Sequence, residues 1–283
     1  MLTDTVLNAA VLGSPVAHSL SPVLHGAAYR ALGLVRWRYA AHDVDEAALL
    51  PFVAGLDETW RGLSLTMPLK EAGFDVAADV SPTARATGSV NTLVRRDTGE
   101  WDAHNTDVHG IVAALSGATS PRPTTDGLGS ATVLGSGATA RSAVAALVRL
   151  GVSRVRLAVR ASARASTVRL AADLGVTVEQ VPLWDWAVSE SPGQPALVVS
   201  TLPPAAGGAA AEAIRGRNLS GTLLDVVYAG WPTPLARAAA DAGMDVVSGL
   251  DMLVHQAGEQ VRLMTGHEAP LEVMFAAARE AVG

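Results

Sequence analysis

Cysteine is missing altogether from the 283 residues, so the chain forms no disulfide and offers no thiolate to a metal. Aromatic residues are scarce, at 4%, while hydrophobic residues reach 49% and the mean hydropathy is +0.28, so an aliphatic core of Ala, Val and Leu is expected. No apolar run approaches the ~20 residues that span a bilayer. The opening MLTDTVLNAAVLGSP has no basic stretch ahead of its apolar residues, so it does not read as a signal peptide. Net charge is −6 and no basic face stands out, which argues against a nucleic-acid partner. These absences fit a soluble, cytoplasmic chain. Lysine is the sharpest shortage: Lys70 stands alone against twenty arginines. Either a bias toward arginine codons left one lysine by chance, or this position needs an amine. Arginine cannot release a proton near neutral pH, and lysine can.

What is present reads as two α/β domains. Residues 6–13 form a buried strand, and a helix follows over 22–33 with Ser21 as N-cap and Pro22 in its first turn. A strand over 37–42, a helix over 46–56 and an alternating strand over 62–67, with Ser64 and Thr66 on one face, come next. Pro68 is expected to open a helix that carries Lys70, and 89–95 a strand with Asn91 near its start. The boundary falls at Asn105-Thr106-Asp107, which caps a helix over 108–115, followed by a Gly/Pro/Ser/Thr-rich loop over 116–130. Beyond it, strands over 131–134, 155–159, 196–200, 222–227 and 245–248 alternate with helices, the pattern of a covered parallel sheet. Two helices, 250–265 and 271–282, end the chain. The expected domains are 1–107 plus 249–283, and 108–248.

The second domain opens on Gly135-Ser136-Gly137-Ala138-Thr139-Ala140, directly after a strand and directly before a helix. A glycine motif carries weight only in that context. There the glycines admit backbone N–H groups to a pyrophosphate, and the helix N-terminus supplies partial positive charge. An NAD site usually places an acid at the end of the second strand, on the ribose 2′-hydroxyl. Here that strand ends Val159-Arg160, and Arg164 follows, so two guanidiniums stand where a 2′-phosphate would lie. NADP is expected over NAD.

Several segments, in order and across nearly the whole chain, resemble the shikimate dehydrogenase family. They are Gly13–Pro22 (GSPVAHSLSP), Gly62–Lys70 (GLSLTMPLK), Gly88–Thr92 (GSVNT), Asn105–Gly110 (NTDVHG), the glycine turn, Asp225–Tyr228 (DVVY) and Gly249–Ala257 (GLDMLVHQA). The resemblance implies an oxidoreductase of aromatic amino-acid biosynthesis that interconverts 3-dehydroshikimate and shikimate with NADP, in a cleft between a substrate domain and a Rossmann-type domain. It implies Lys70 and Asp107 as the catalytic pair, the lysine taking or giving the hydroxyl proton and the aspartate orienting it. It places the substrate carboxylate on Ser19 and Ser21, and the substrate hydroxyls on Thr66, Asn91 and Gln256, with Tyr228 closing the site. Around the cofactor it implies Gly135, Ser136, Gly137, Ala138, Thr139, Arg160, Arg164, Val226, Gly249 and Met252.

Taken alone, several of these residues have plainer readings: Ser21 and Asp107 as helix caps, Asn91 as a turn residue. The chain also departs from the family, with Ser64 and Gly26 where asparagine is common, and Val159-Arg160-Ala161 where an Asn-Arg-Thr clasp is usual. The seven histidines show no metal spacing, so no metal is expected. A quinate or aminoshikimate dehydrogenase would share the lysine–aspartate pair, and a non-turning dinucleotide sensor would not need it. Small-molecule partners are expected, with the chain a monomer or homodimer.

Overall fold

A computed structural model of the chain describes residues 5–118, 129–187 and 196–282. It divides into two compact units, residues 1–110 with 254–283, and residues 111–253.

The first unit is built on β1 (Leu7–Gly13), α1 (Ser21–Ala31), β2 (Trp37–Asp43), α2 (Glu46–Ala54), β3 (Trp60–Leu65), β4 (Asp79–Val80), α3 (Pro82–Thr87), β5 (Thr92–Arg95) and β6 (Trp101–His104). Its six strands lie in the order β2-β1-β3-β5-β6-β4. β1 pairs parallel with β2 and β3, while β5 runs antiparallel to both β3 and β6. One side of this sheet is sealed by Leu12, Leu49, Leu63, Leu65, Leu69, Val90 and Leu93, an aliphatic core with Trp101 at its margin. The chain leaves the unit within α4 (Asp107–Ala118) and re-enters it within a later helix.

The second unit has six parallel strands: β7 (Ser130–Leu134), β8 (Arg154–Val159), β9 (Thr177–Pro182), β10 (Ala196–Ser200), β11 (Gly221–Asp225) and β12 (Asp245–Ser248). Helices α5 (Ala138–Arg149), α6 (Ala165–Asp173), α7 (Pro204–Glu212) and α8 (Pro234–Asp241) connect them. The order β9-β8-β7-β10-β11-β12 is that of a doubly wound dinucleotide fold, whose strand order reverses between β7 and β10. β7, β8 and β10 are buried on both faces and are near-continuous Ala, Val and Leu, as parallel strands under two helical layers must be. α9 (Gly249–Thr265) leads back to the first unit, where α10 (Leu271–Val282) packs on α1.

The structure corrects four local expectations. Pro68 opens no helix: Met67–Glu71 is a turn, with only a short 3-10 segment at Ala72–Asp75. The Lys70 carbonyl accepts from Val90 N (2.7 Å) on a neighbouring segment, so it is not available to continue a helix. Ser21 is the first residue of α1 and not its cap; Leu20 holds the cap position, and Ser21 N donates to the Ser19 hydroxyl (3.3 Å). β3 stops at Leu65, one residue before Thr66, and β5 begins at Thr92, one residue after Asn91. Helix α4 runs on through 116–118, where a loop was expected; the stretch 119–128 lies outside the described residues.

Candidate active site and dinucleotide site

Every polar group around Lys70 in the first unit is placed by a local constraint. A Cβ on Gly13 would sit 2.3 Å from the Thr66 methyl and 2.9 Å from the Met67 carbonyl, so only glycine lets the 66–70 turn close on β1. Fully buried Leu69 anchors that turn, and Lys70 leaves it with its side chain 17% exposed. Asp107 begins α4, but the capping is done by Asn105, whose Oδ1 accepts from Val108 N (3.2 Å) while its Nδ2 donates to Ser89 O (2.9 Å). Asp107 is thereby released from the cap and reaches the Lys70 ammonium at 2.5 Å, with its side chain 4% exposed.

Asn91 faces the other carboxylate oxygen. Its Nδ2 shares its two N–H groups among Thr106 Oγ1 (2.8 Å), Asp107 Oδ1 (2.9 Å) and the longer contact to Gln256 Oε1 (3.2 Å), while its Oδ1 accepts from Thr106 N (2.8 Å). Lys70, Asp107, Asn91 and Gln256 are therefore one connected cluster. Ser19 and Ser21 form a second group at the start of α1, and Thr66 stands beside Gly13. Behind them lies a largely buried layer, of which the sequence singled out only Ser64. The Tyr39 hydroxyl donates to Ser64 (2.6 Å), Ser64 to Gln260 Oε1 (2.9 Å), and His25 stacks on Tyr39 at 3.9 Å with its Nε2 facing Gln260 (3.3 Å). Burial pushes the His25 imidazole down to about 3, so it is neutral, and pushes the Tyr39 phenol up, with hydrogen bonds to Ser64 and Ser21 pulling it part of the way back. Gln260 lies one helical turn past Gln256 on α9; that spacing was the only sequence signal for it.

In the second unit the glycine turn follows β7. Gly135 has φ +104°, and a Cβ there would meet Thr201 Oγ1 at 2.7 Å. Above Gly137, which caps α5 without any side-chain hydrogen bond, a Cβ would meet nothing within 4 Å. Open space over unclaimed helix N–H groups suits a pyrophosphate. Ser136 ties this turn to α6: its hydroxyl accepts from Arg164 N (3.2 Å), and its carbonyl accepts from Thr167 Oγ1 (2.7 Å). Ala138 and Thr139, half-buried, make the first turn of α5. Arg160 and Arg164 are exposed, and among the described residues neither guanidinium meets a carboxylate. Two unneutralised cations and no acid beside the turn fit a 2′-phosphate. On the far side of the sheet, a Cβ on Gly249 would lie 2.2 Å from the Val226 carbonyl, so close packing alone demands that glycine. Asp225 holds the segment leading to Tyr228, accepting from Val227 N (3.3 Å) and Thr233 Oγ1 (2.7 Å). Met252 is buried and Tyr228 half-buried. No cluster of three or more His, Cys, Asp or Glu among the described residues could hold a metal ion, and no helix among them is long and apolar enough to cross a membrane.

Comparison with known proteins gives one family. Residues 11–93 match the family described as "Shikimate dehydrogenase substrate binding domain", and residues 249–279 match "Shikimate 5'-dehydrogenase C-terminal domain". A shikimate dehydrogenase (NADP(+)) of Synechococcus sp. (strain JA-3-3Ab) is 36% identical over 95% of this chain and 92% of its own. The crystal structure of Mycobacterium tuberculosis shikimate dehydrogenase superposes with a TM-score of 0.80 at 41% identity, covering 97% of this chain and 99% of that one. Shikimate 5-dehydrogenase from Thermus thermophilus, in complex with NADP(H) and shikimate, gives 0.78 at 32% identity, covering 98% and 100%. The chain belongs to the shikimate dehydrogenase family.

Proposed function

We propose that this chain is an NADP-dependent shikimate dehydrogenase that interconverts 3-dehydroshikimate and shikimate, with the first unit binding substrate and the second binding the dinucleotide. The observation that carries the reading is the contact between the single lysine and a buried carboxylate that Asn91 also holds. NADP supplies the hydride acceptor, and the substrate hydroxyl loses its proton as its carbon loses hydride. Lys70 takes that proton as the neutral amine, and as the ammonium returns it in the reverse direction. Asp107 holds the amine in place by accepting from it, and faces the same hydroxyl. Asn91, Gln256 and Thr66 receive the ring hydroxyls. The paired hydroxyls of Ser19 and Ser21 meet the ring carboxylate at the start of α1, where the helix end favours an anion. Tyr228, in the second unit, is assigned to the substrate on the family resemblance.

Arg160 and Arg164 select NADP through the 2′-phosphate, beside the backbone of Gly135, Ser136, Gly137, Ala138 and Thr139. Val226, Gly249 and Met252 complete the set assigned to the cofactor. The place of such an enzyme is aromatic biosynthesis in the cytoplasm, as a monomer or homodimer. Steady-state kinetics with shikimate and quinate, each with NADP and NAD, test the reading. The highest kcat/KM is expected for shikimate with NADP. A preference for quinate would reassign the substrate, a preference for NAD would remove the roles of Arg160 and Arg164, and NADP binding without turnover of any ring acid would leave a sensor.

A further inference from the structure

Gln260 takes no part in the proposed chemistry, although it is 1% exposed and its amide is saturated. Oε1 accepts from the Ser64 hydroxyl (2.9 Å) and faces His25 Nε2 (3.3 Å), while Nε2 donates to the Asn91 carbonyl (3.2 Å) and to Thr92 Oγ1 (3.0 Å). Tyr39 donates to Ser64 (2.6 Å), so the Ser64 proton is directed at Gln260. The amide therefore has one orientation: the flipped form would set a donor against Ser64 and an acceptor against the Asn91 carbonyl. The polarity runs on from there. Thr92, receiving from Gln260, aims its own proton at Asn91 Oδ1 (2.9 Å), where Thr106 N also arrives (2.8 Å). With two donors on Oδ1, Asn91 Nδ2 is turned to Asp107 Oδ1 (2.9 Å), and Asp107 Oδ2 is left to Lys70 (2.5 Å).

We propose that Gln260 is a positioning residue for the acid–base pair, acting through Thr92 and Asn91. The inference rests on the assignment of Lys70 and Asp107 to that pair. Thr92 is fully buried and Asn91 is 2% exposed, so no water replaces a missing link. A half-satisfied buried network repacks, and the carboxylate it holds moves with it.

The test is steady-state kinetics of shikimate oxidation on Gln260→Met, Thr92→Val, Thr92→Ser, the Gln260→Met/Thr92→Val double variant and Lys70→Ala, each first shown to be folded by circular dichroism. Gln260→Met and Thr92→Val are expected to lower kcat about tenfold, the scale of one oriented hydrogen bond, with the KM for NADP unchanged. Thr92→Ser, which keeps the hydroxyl, recovers the rate. The double variant is no slower than the slower single, because both cut one chain. An unaltered kcat in Gln260→Met, multiplicative losses in the double variant, or Thr92→Ser as slow as Thr92→Val would each overturn the proposal. If Gln260→Met does not fold, the Thr92 pair decides alone. A fast Lys70→Ala enzyme would mean that the acid–base assignment has failed; a slow one beside an unaffected Thr92→Val would mean that only the relay has.

Discussion

At the scale of single residues, chemistry is concentrated in an amine that this chain has only once. Lys70 sits on a turn with little freedom, between buried Leu69 and a carbonyl held by Val90, and its ammonium meets a carboxylate that is 4% exposed. Lys70→Ala is expected to lower kcat by about 10² to 10⁴, the range of a positioned general acid–base group, with KM for shikimate nearly intact. Lys70→Arg should not restore the rate, because guanidinium holds its proton throughout the working pH range. A kcat within a few-fold of wild type in Lys70→Ala would take the lysine out of the mechanism. Ser64 shows how a departure from the family is absorbed: its short hydroxyl bridges Tyr39 and Gln260 and leaves no unpaired group.

At the scale of elements, α1, β2 and α9 meet around an imidazole that must stay neutral. The ordinary value for histidine is 6.5, and burial takes His25 down to about 3 in the folded chain. Above pH 6.5 neither state binds the proton and the full stability is present. As pH falls below 6.5 the unfolded chain takes up a proton that the folded one refuses, so stability drops, by about 1.4 kcal/mol per pH unit at most, until about pH 3. Urea midpoints measured at several pH values between 7 and 4.5 should fall for the wild type, and less steeply for His25→Phe. Parallel slopes would place the acid sensitivity elsewhere, His104 being the next histidine that burial lowers. Elements also mark where sequence reading stops. Apolar runs such as Ala196–Ser200 and Asp245–Ser248, and the periodic helix Leu271–Val282, fall where their patterns place them. The two-residue β4, the six-residue α3, β6 and the edge strand β9 were not foreseen, because they are too short or too polar for a period to register.

At the scale of the whole molecule, ligand binding reports on the cofactor assignment. NADP bound only by the folded chain raises the melting temperature by mass action. At concentrations well above Kd, NADP is expected to raise the Tm more than NAD does, and Arg160→Ala/Arg164→Ala should abolish that difference while the response to NAD persists. An equal response to the two cofactors in the wild type would count against the arginine pair. The chain order of the glycine turn, Arg160 and Arg164 was legible because strand, turn and helix are adjacent in sequence. Their tie was not: the Ser136 hydroxyl reaches Arg164 N across 28 positions.

The sequence by itself determined the α/β alternation, the glycine turn at the head of a dinucleotide-type sheet and the rarity of its one lysine, since each is a local property of composition or spacing. It also placed the family's motifs in order. Only the tertiary structure decided which side chains share a proton network. Asn91 finds Asp107 and Gln256, and Gln260 finds Thr92 168 positions away. It also decided that Asn105, and not Asp107, caps α4, which leaves a carboxylate for Lys70. The reason is physical: a buried hydrogen bond depends on which donors and acceptors remain once water is gone, and that count is taken across the fold, not along the chain.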